Sequence, residues 1–313
     1  MKNLILCLSL SLVACLGYAQ TKVPITTDGT ASGGDSKVYI KIYGSYGLPT
    51  SGSYRALDIN AGFPILYGGV SVAPASGNLR YQTIGRGLGQ GVRVGGGVGL
   101  VISDFINLGI DADYYRSGNI NILSYTTSAN AEITSSNMEA SMITILPNVT
   151  FKALSKPSFY LYMRLGIGLG IPNVKQDYVN TLNGAVTTSQ KYAFKGGLAL
   201  GYLVSLGVQK RLTPQLRAFA EAQFINFSYS PKQRNTTAWL AGGKGGTSTT
   251  PPTPPTSVLA SKNLSETEIQ YYDDYTVSTL EDENEKKRKP ANSARLTMPI
   301  ASLGLQIGLA YRF

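Results

Sequence analysis

Bulky apolar residues alternate with small or polar residues along several stretches of the chain. From Ser302 to Phe313 the alternation is unbroken, and Phe159 to Ile171 repeats it. A period of two is typical of a β-strand, whose successive side chains point to opposite faces. Six further stretches follow the same period less regularly: 38–43, 92–100, 106–113, 143–152, 198–209 and 216–224. The pattern therefore predicts eight strands.

The composition of the two faces indicates which side of each strand points inward. In the clearest strands one face consists of small residues and a charge, as in Arg164, Gly166 and Gly168. A soluble sandwich would bury the bulky face, whereas glycines and charges suit the narrow interior of a membrane barrel. Eight strands enclose a lumen that side chains can fill, and inward glycines relieve crowding there. We therefore expect an all-β fold, a transmembrane antiparallel up-and-down β-barrel of eight strands.

The connections between these strands alternate in length. Short ones at 103–105, 154–158 and 213–215 alternate with long ones near 47–89, 116–137, 172–191 and 231–293. Outer-membrane barrels have short periplasmic turns and long extracellular loops. We therefore expect both mature termini in the periplasm. The long external loop 231–293 contains a Gly/Ser/Thr/Pro tract at 242–256 and a charge block at 281–289, and neither composition can bury a core.

The first nineteen residues are typical of a secretory signal peptide. Lys2 precedes an apolar run from Leu4 to Leu16, and small residues lead to a cleavage site after Ala19. An alternative is a lipobox ending at Cys15, which would be acylated. Residues 20–36 are polar and are expected to form a flexible periplasmic segment, which leaves 37–313 for the barrel. No later stretch is long and apolar enough for a membrane helix.

Composition narrows the function further. The 313 residues include no histidine, and both cysteines, Cys7 and Cys15, lie in the expected leader. The formal net charge is +10, but the basic residues are dispersed rather than clustered on one element. Nucleic-acid binding would require such clustering. Dispersed positive charge is more consistent with anionic lipid headgroups or acidic polymers.

The C-terminal segment 305–313 places apolar residues at alternate positions and ends on an aromatic residue. Together with the leader and the strand rhythm, it resembles the small eight-stranded outer-membrane barrels of Gram-negative bacteria, of the OmpA transmembrane-domain, OmpX and OmpW kind. The resemblance implies a cell-envelope protein in contact with outer-membrane lipid and lipopolysaccharide. It also implies that Tyr311 and Phe313 belong to a signal read by the barrel-assembly machinery, with periplasmic chaperones assisting.

Several charged residues are predicted on inward faces. They are Arg93, Asp111, Asp113, Arg164, Arg217 and Glu221. One hypothesis is a structural network, because a charge inside a narrow lumen needs a partner. The alternative is a site in which Asp111 and Asp113, two residues apart on one strand, hold a cation or have a raised pKa. Barrel enzymes of the resembled class generally use a histidine as general base, and this chain has none. We therefore expect no enzymatic activity, no metal and no cofactor.

The predicted interior bears on permeability. With Tyr160 and Tyr162 also inward, the lumen is expected to be a polar plug. The expected role is then structural, or one of contact with a surface partner through loop 231–293, where Trp239 either meets the partner or folds back onto the barrel rim.

A narrow, porin-like pore or an OmpW-like transporter for small solutes is the alternative function. It would need an apolar opening between strands, which Pro147 or the Ala218 to Ala222 face could supply. The simpler interpretation of Pro147 is a bulge or local kink.

Overall fold

The computed structural model describes residues 37–50, 70–72, 81–83, 88–126, 132–155, 158–182, 185–244, 253–274 and 283–313. The predicted leader 1–19, with its Cys15 alternative, and the segment 20–36 lie outside these residues. The first strands are β1 (Val38–Pro49), β2 (Val70–Val72), β3 (Tyr81–Thr83), β4 (Gly91–Val101), β5 (Ile106–Ser117), β6 (Ile120–Thr126), β7 (Glu132–Ser155) and β8 (Phe159–Leu182). The others are β9 (Ala185–Lys195), β10 (Ala199–Arg211), β11 (Leu216–Tyr229), β12 (Gln233–Ala241), β13 (Thr256–Ser257), β14 (Glu268–Tyr272), β15 (Ala291–Ala294) and β16 (Met298–Arg312).

Helical structure is confined to short turns in the described part of the chain. A 3-10 turn covers Leu259–Ser261, and two short helices follow, α1 (Leu264–Thr267) and α2 (Glu283–Arg288). Within the described ranges, no helix is both long and apolar enough to cross a membrane.

The strands that carry the predicted alternation pair in a ring. Antiparallel pairs link β1 to β4, β4 to β5, β5 to β7, β7 to β8, β8 to β10, β10 to β11, β11 to β16 and β16 back to β1. The prediction of an all-β, mainly antiparallel fold is therefore confirmed. Parallel pairs occur outside the ring, between β14 and β15 and between β2 and β6.

The ring has two different ends. At one end lie the short connections 102–105 and 212–215, the end of β7 and the start of β8, together with the start of β1 and the end of β16. We call this the turn end and the opposite end the loop end. The outer face of the ring is apolar: on β8, Leu161, Ile167, Leu169 and Ile171 are exposed, and Ile167 is 70% exposed. Bulky residues thus point outward, as the sequence pattern predicts.

Three of the predicted long loops contain paired strands in their described residues, which corrects their boundaries. β7 and β8 each have 24 residues and stay paired from Ser155 and Tyr160 to Glu132 and Leu182. β9 pairs with the outer half of β8, β12 with β9, and β14 with β12, while β6 pairs with β7. We call the part beyond the ring the projecting sheet: β2, β3, β6, β9, β12–β15 and the loop-end halves of β7 and β8.

In the described residues, the predicted loops 116–137 and 172–191 therefore consist largely of strands, and loop 231–293 contains β12, β13, β14 and part of β15. These strands carry Thr, Ser, Asn and Tyr on both faces, so no apolar alternation marks them. β-branched and aromatic residues still favour extended pairing when a neighbouring strand is available.

Candidate functional site

The centre of the ring contains a buried group of four charged residues. Asp111 on β5 is 0% exposed, and its Oδ2 lies 2.8 Å from Lys41 Nζ on β1. The same oxygen accepts a hydrogen bond from Arg164 on β8, and Arg164 also forms an ion pair with Glu221 on β11. Tyr162 donates a hydrogen bond of 2.7 Å to the other oxygen of Glu221. The two cations and two anions balance.

A second ion pair lies closer to the loop end. Arg93 Nη1 is 2.5 Å from Asp113 Oδ1 and donates a 3.2 Å hydrogen bond to Thr144 Oγ1. Thr144 donates to Asp113, and the Tyr43 hydroxyl donates to Asp113 Oδ2 at 3.3 Å. The pair is therefore neutral and held from several strands, so its polar groups are largely satisfied.

Glycines on β4 make room for the two carboxylates of β5. Gly97 pairs with Asp111, and Gly95 pairs with Asp113. A Cβ atom added at Gly95 would lie 2.5 Å from the Cβ of Asp113, closer than real side chains approach. The glycine run 95–97 thus lets side chains of β5 lie across β4. This is how the inward glycines relieve crowding at this place in the ring.

Arg217 is the predicted charge that the structure does not bring into an ion pair among the described residues. It lies four residues before Glu221 on β11, or about 13 Å nearer the turn end at the usual rise per residue. There its guanidinium carbon is 5.9 Å from the ring centroid of Tyr160. Lys41 takes part in the central group instead, although the prediction of the network omitted it. The alternation in 38–43 places Lys41 on the inward face, and this is the sequence feature that could have identified it as a member of the charged group.

The loop-end interior of the ring is apolar, which corrects the prediction of a wholly polar plug. Met142, Leu146, Leu203, Ile225 and Phe227 are buried in one cluster, and Phe227 is 0% exposed. Ile225 and Phe227 lie on the same inward face of β11 as Phe219 and Glu221. The sequence alternation that would have predicted them continues just beyond the predicted end of that strand at residue 224. The cluster closes the lumen above the charged residues.

The sequence suggested two places for an opening between strands, and the strand pairing is continuous at the first and briefly interrupted at the second. β11 pairs with both neighbours along Ala218 to Ala222. Pro147 does not produce a bulge, because Ile145 pairs with Leu169 and Asn148 pairs with Gly166 in the same register. The register shift of β7 against β8 lies instead at 152–154. Of the two forms predicted at Pro147, a bulge or a local kink, the bulge is absent, and the β7–β8 pairing skips Leu146 and Pro147 without a change of register.

Trp239 lies within β12 and is half-buried rather than at a loop tip. Lys262 Nζ lies 4.4 Å from the centroid of its ring and also 2.8 Å from Glu266 Oε1 in α1. The lysine hydrogen bond and the Asn263 N–H together lower the pKa of the Glu266 carboxyl. Trp239 thus packs within the projecting sheet. This position matches neither predicted alternative, contact with a partner from a loop or folding back onto the barrel rim.

The predicted assembly-signal residues lie at the end of β16. Tyr311 and Phe313 are both exposed on the outer face, and their rings meet edge to face with centroids 5.3 Å apart.

The chemistry available to the charged interior is limited by its pairing. Asp111 and Asp113 point to different partners, and each is already held by a cation. In the described ranges no group of three or more His, Cys, Asp or Glu side chains could hold a metal ion. Each of the two carboxylates is therefore neutralised by a neighbouring cation within the ring.

Comparisons with known proteins add little beyond this geometry. No protein-family model matches the chain, and no curated protein matches it. Among solved structures, it is similar to the crystal structure of Neisserial surface protein A, with 11% identity, a TM-score of 0.32, and 90% of this chain and 100% of that chain covered. A major outer membrane protein from Thermus thermophilus is similar at 10% identity and a TM-score of 0.38, with 88% and 99% covered. Both TM-scores are below 0.5.

Proposed function

We propose that this chain is an integral outer-membrane β-barrel of eight strands, similar in kind to the OmpA transmembrane-domain, OmpX and OmpW barrels. The apolar outer face of the ring is the observation that supports this most strongly. From Leu161 to Ile171, β8 covers about 33 Å along the strand, or roughly 25 Å along the barrel axis at a tilt of about 40°. Known outer-membrane barrels carry an apolar band of about 25 Å. Beyond Ile171 the outward residues become polar, beginning with Asn173 and Lys175.

This proposal assigns an orientation to the chain. In such barrels the short turns face the periplasm and the long excursions face outward. The turn end, with both ends of the ring, would then be periplasmic, and the projecting sheet would be extracellular. The expected contacts are outer-membrane lipid and lipopolysaccharide. During biogenesis, the barrel-assembly machinery would engage Tyr311 and Phe313 after delivery by periplasmic chaperones.

The role we propose is non-enzymatic contact at the cell surface. From Pro172 to Leu182, β8 extends about 33 Å beyond its apolar segment, and neighbouring strands pair along it. A paired sheet of this height holds a contact surface away from the lipid headgroups. The partner would be a surface protein, a matrix polymer or a neighbouring membrane protein.

Two simple experiments test the location. The folded barrel should migrate faster on a denaturing gel before heating than after heating, and the protein should fractionate with the outer membrane. Recovery of all of the protein in the soluble periplasm would contradict the proposal.

A narrow pore is the second candidate, because a polar cavity enters the ring from the turn end. Its extension through the ring is opposed by the central charges and by the apolar cluster around Phe227. Planar-bilayer recordings of refolded protein distinguish the two functions. We expect no reproducible single-channel steps, and steps that a plugging mutation abolishes would favour the pore.

A further inference from the structure

A small cavity occupies the turn end of the ring interior. Its volume is about 50 Å³, and its floor is formed by the central charged group, including Arg164 and Glu221. Its mouth is lined by the turn-proximal residues of the ring strands, among them Lys152, Arg217 and Arg312. A cavity needs roughly 10–15 Å³ for each water it holds. This one therefore has room for a few waters or for one small oxyanion.

The charge around this cavity is not balanced. Glu221 lines it, but Arg164 and Tyr162 already hold that carboxylate. Asp104 acts electrostatically on Lys152, yet it belongs to the exposed turn between β4 and β5 and not to the cavity wall. Lys152 and Arg217 thus add two positive charges to the wall without a carboxylate of their own among the residues that line it.

Two guanidinium groups of the wall also keep unused hydrogen-bond donors. The Nε of Arg217 and the Nε of Arg164 are buried, and neither has a hydrogen-bond partner. Arg164 is only 2% exposed, so bulk water does not satisfy it freely. A buried donor without a partner is unfavourable, most of all on a charged group.

The cations converge from different strands on one aromatic ring. Lys152 Nζ lies 5.3 Å from the ring centroid of Tyr160, on the opposite side of the β7–β8 turn, and the guanidinium carbon of Arg217 lies 5.9 Å from the same centroid. Arg217 acts electrostatically on Lys152, and an anion bound beside both would relieve their mutual repulsion.

We propose that this turn-end cavity is a binding site for one small oxyanion of the phosphate type, which accepts hydrogen bonds from Arg217 and Lys152 above the neutral floor formed by Arg164 and Glu221. The site is blind, because the central charges and the apolar cluster lie beyond it. It therefore binds an anion without conducting it. This inference goes beyond the surface-contact role and depends only on the folded ring.

The test is a calorimetric titration of refolded protein in zwitterionic detergent with inorganic phosphate, at constant ionic strength maintained with chloride. We expect saturation at one phosphate per chain. Arg217→Gln should weaken the dissociation constant about tenfold or more, because a hydrogen bond between charged groups contributes a factor of at least that size. Lys210→Gln is the matched control, since it removes the same charge from an exposed outward position on the adjacent strand.

Folding of each variant is checked by heat-modifiable migration on a gel. If Arg217→Gln does not fold, Lys152→Gln replaces it with the same expected result. Non-saturable heats, or equal weakening by Lys210→Gln and by the cavity variant, would overturn the proposal. Saturation that is lost in the cavity variant and kept in the control supports it. This outcome does not depend on whether the barrel has a surface partner.

Discussion

Replacing Asp111 with asparagine should destabilise the ring strongly. Asp111 is fully buried, and one of its oxygens serves both Lys41 and Arg164. The substitution keeps the shape of the side chain but removes its charge. The central group then contains two cations and only one anion, Glu221, in a place that water reaches poorly.

The magnitude follows from the number of interactions lost. Breaking a buried ion pair by neutralising one partner costs about 3–5 kcal/mol, because the remaining charge is left uncompensated. Two charge-assisted hydrogen bonds at about 1.5–3 kcal/mol each give a similar range. We therefore expect Asp111→Asn to lower the free energy of unfolding by about 3–5 kcal/mol. The exposed turn residue Asp104 supplies the control, and Asp104→Asn should change it by less than about 0.5 kcal/mol.

A double-mutant cycle separates charge balance from packing. Lys41→Met removes one cation at nearly constant volume, and in combination with Asp111→Asn it restores neutrality around Arg164 and Glu221. The double variant should therefore be less destabilised than the sum of the single variants by about 2 kcal/mol. Urea titrations of the refolded barrel in lipid vesicles measure all four species. Additive effects, or a single Asp111→Asn effect within the error of the control, would refute the reasoning.

Three further predictions address the packing and the projecting sheet. Gly97→Ala should destabilise the ring by about 1–3 kcal/mol, because the added methyl group overpacks against the buried carboxylate of Asp111. Gly44→Ala is the control: its Cβ meets nothing within 4 Å, so it should be nearly neutral in the same urea assay. Phe227→Ala should cost about 3–5 kcal/mol by leaving a cavity in the apolar cluster, and unchanged stability would contradict a closed loop end. Lys262 lowers the pKa of Glu266, so their contact stabilises α1 above the ordinary carboxyl pKa and is lost as the pH falls through the lowered value. Lys262→Met should therefore raise the pKa of Glu266 in an NMR titration. An unchanged pKa would exclude Lys262 as the cause.

The ring strands could be predicted because each must present apolar residues on its outer face along its whole length. Every second residue from Leu161 to Ile171, and from Leu303 to Phe313, faces outward, so the alternation is continuous and easily seen. The projecting sheet has no such requirement. Thr187, Thr188 and Tyr192 lie in a strand that is polar on both faces. It pairs with β8 through a short hairpin and with β12, which is more distant in sequence.

For the charged site, too, the sequence predicts which way each side chain points but not which side chains meet across the ring. The alternation places Asp111, Lys41 and Arg164 on inward faces. It does not reveal that they meet, because Asp111 reaches across the lumen to strands that are not paired with β5. Which inward residues share a level is set by the stagger between neighbouring strands, and the same stagger leaves Arg217 at the turn end.

The most direct test of the central claim, an outer-membrane barrel with its apolar face in lipid, is cysteine accessibility on intact cells. The background is favourable because the only cysteines, Cys7 and Cys15, lie in the expected leader. A membrane-impermeant maleimide should label Lys175→Cys on intact cells, and Ser103→Cys only after the outer membrane is permeabilised. It should not label Ile167→Cys in either state. Labelling of Ile167→Cys as fast as Lys175→Cys would contradict the proposed barrel in the membrane.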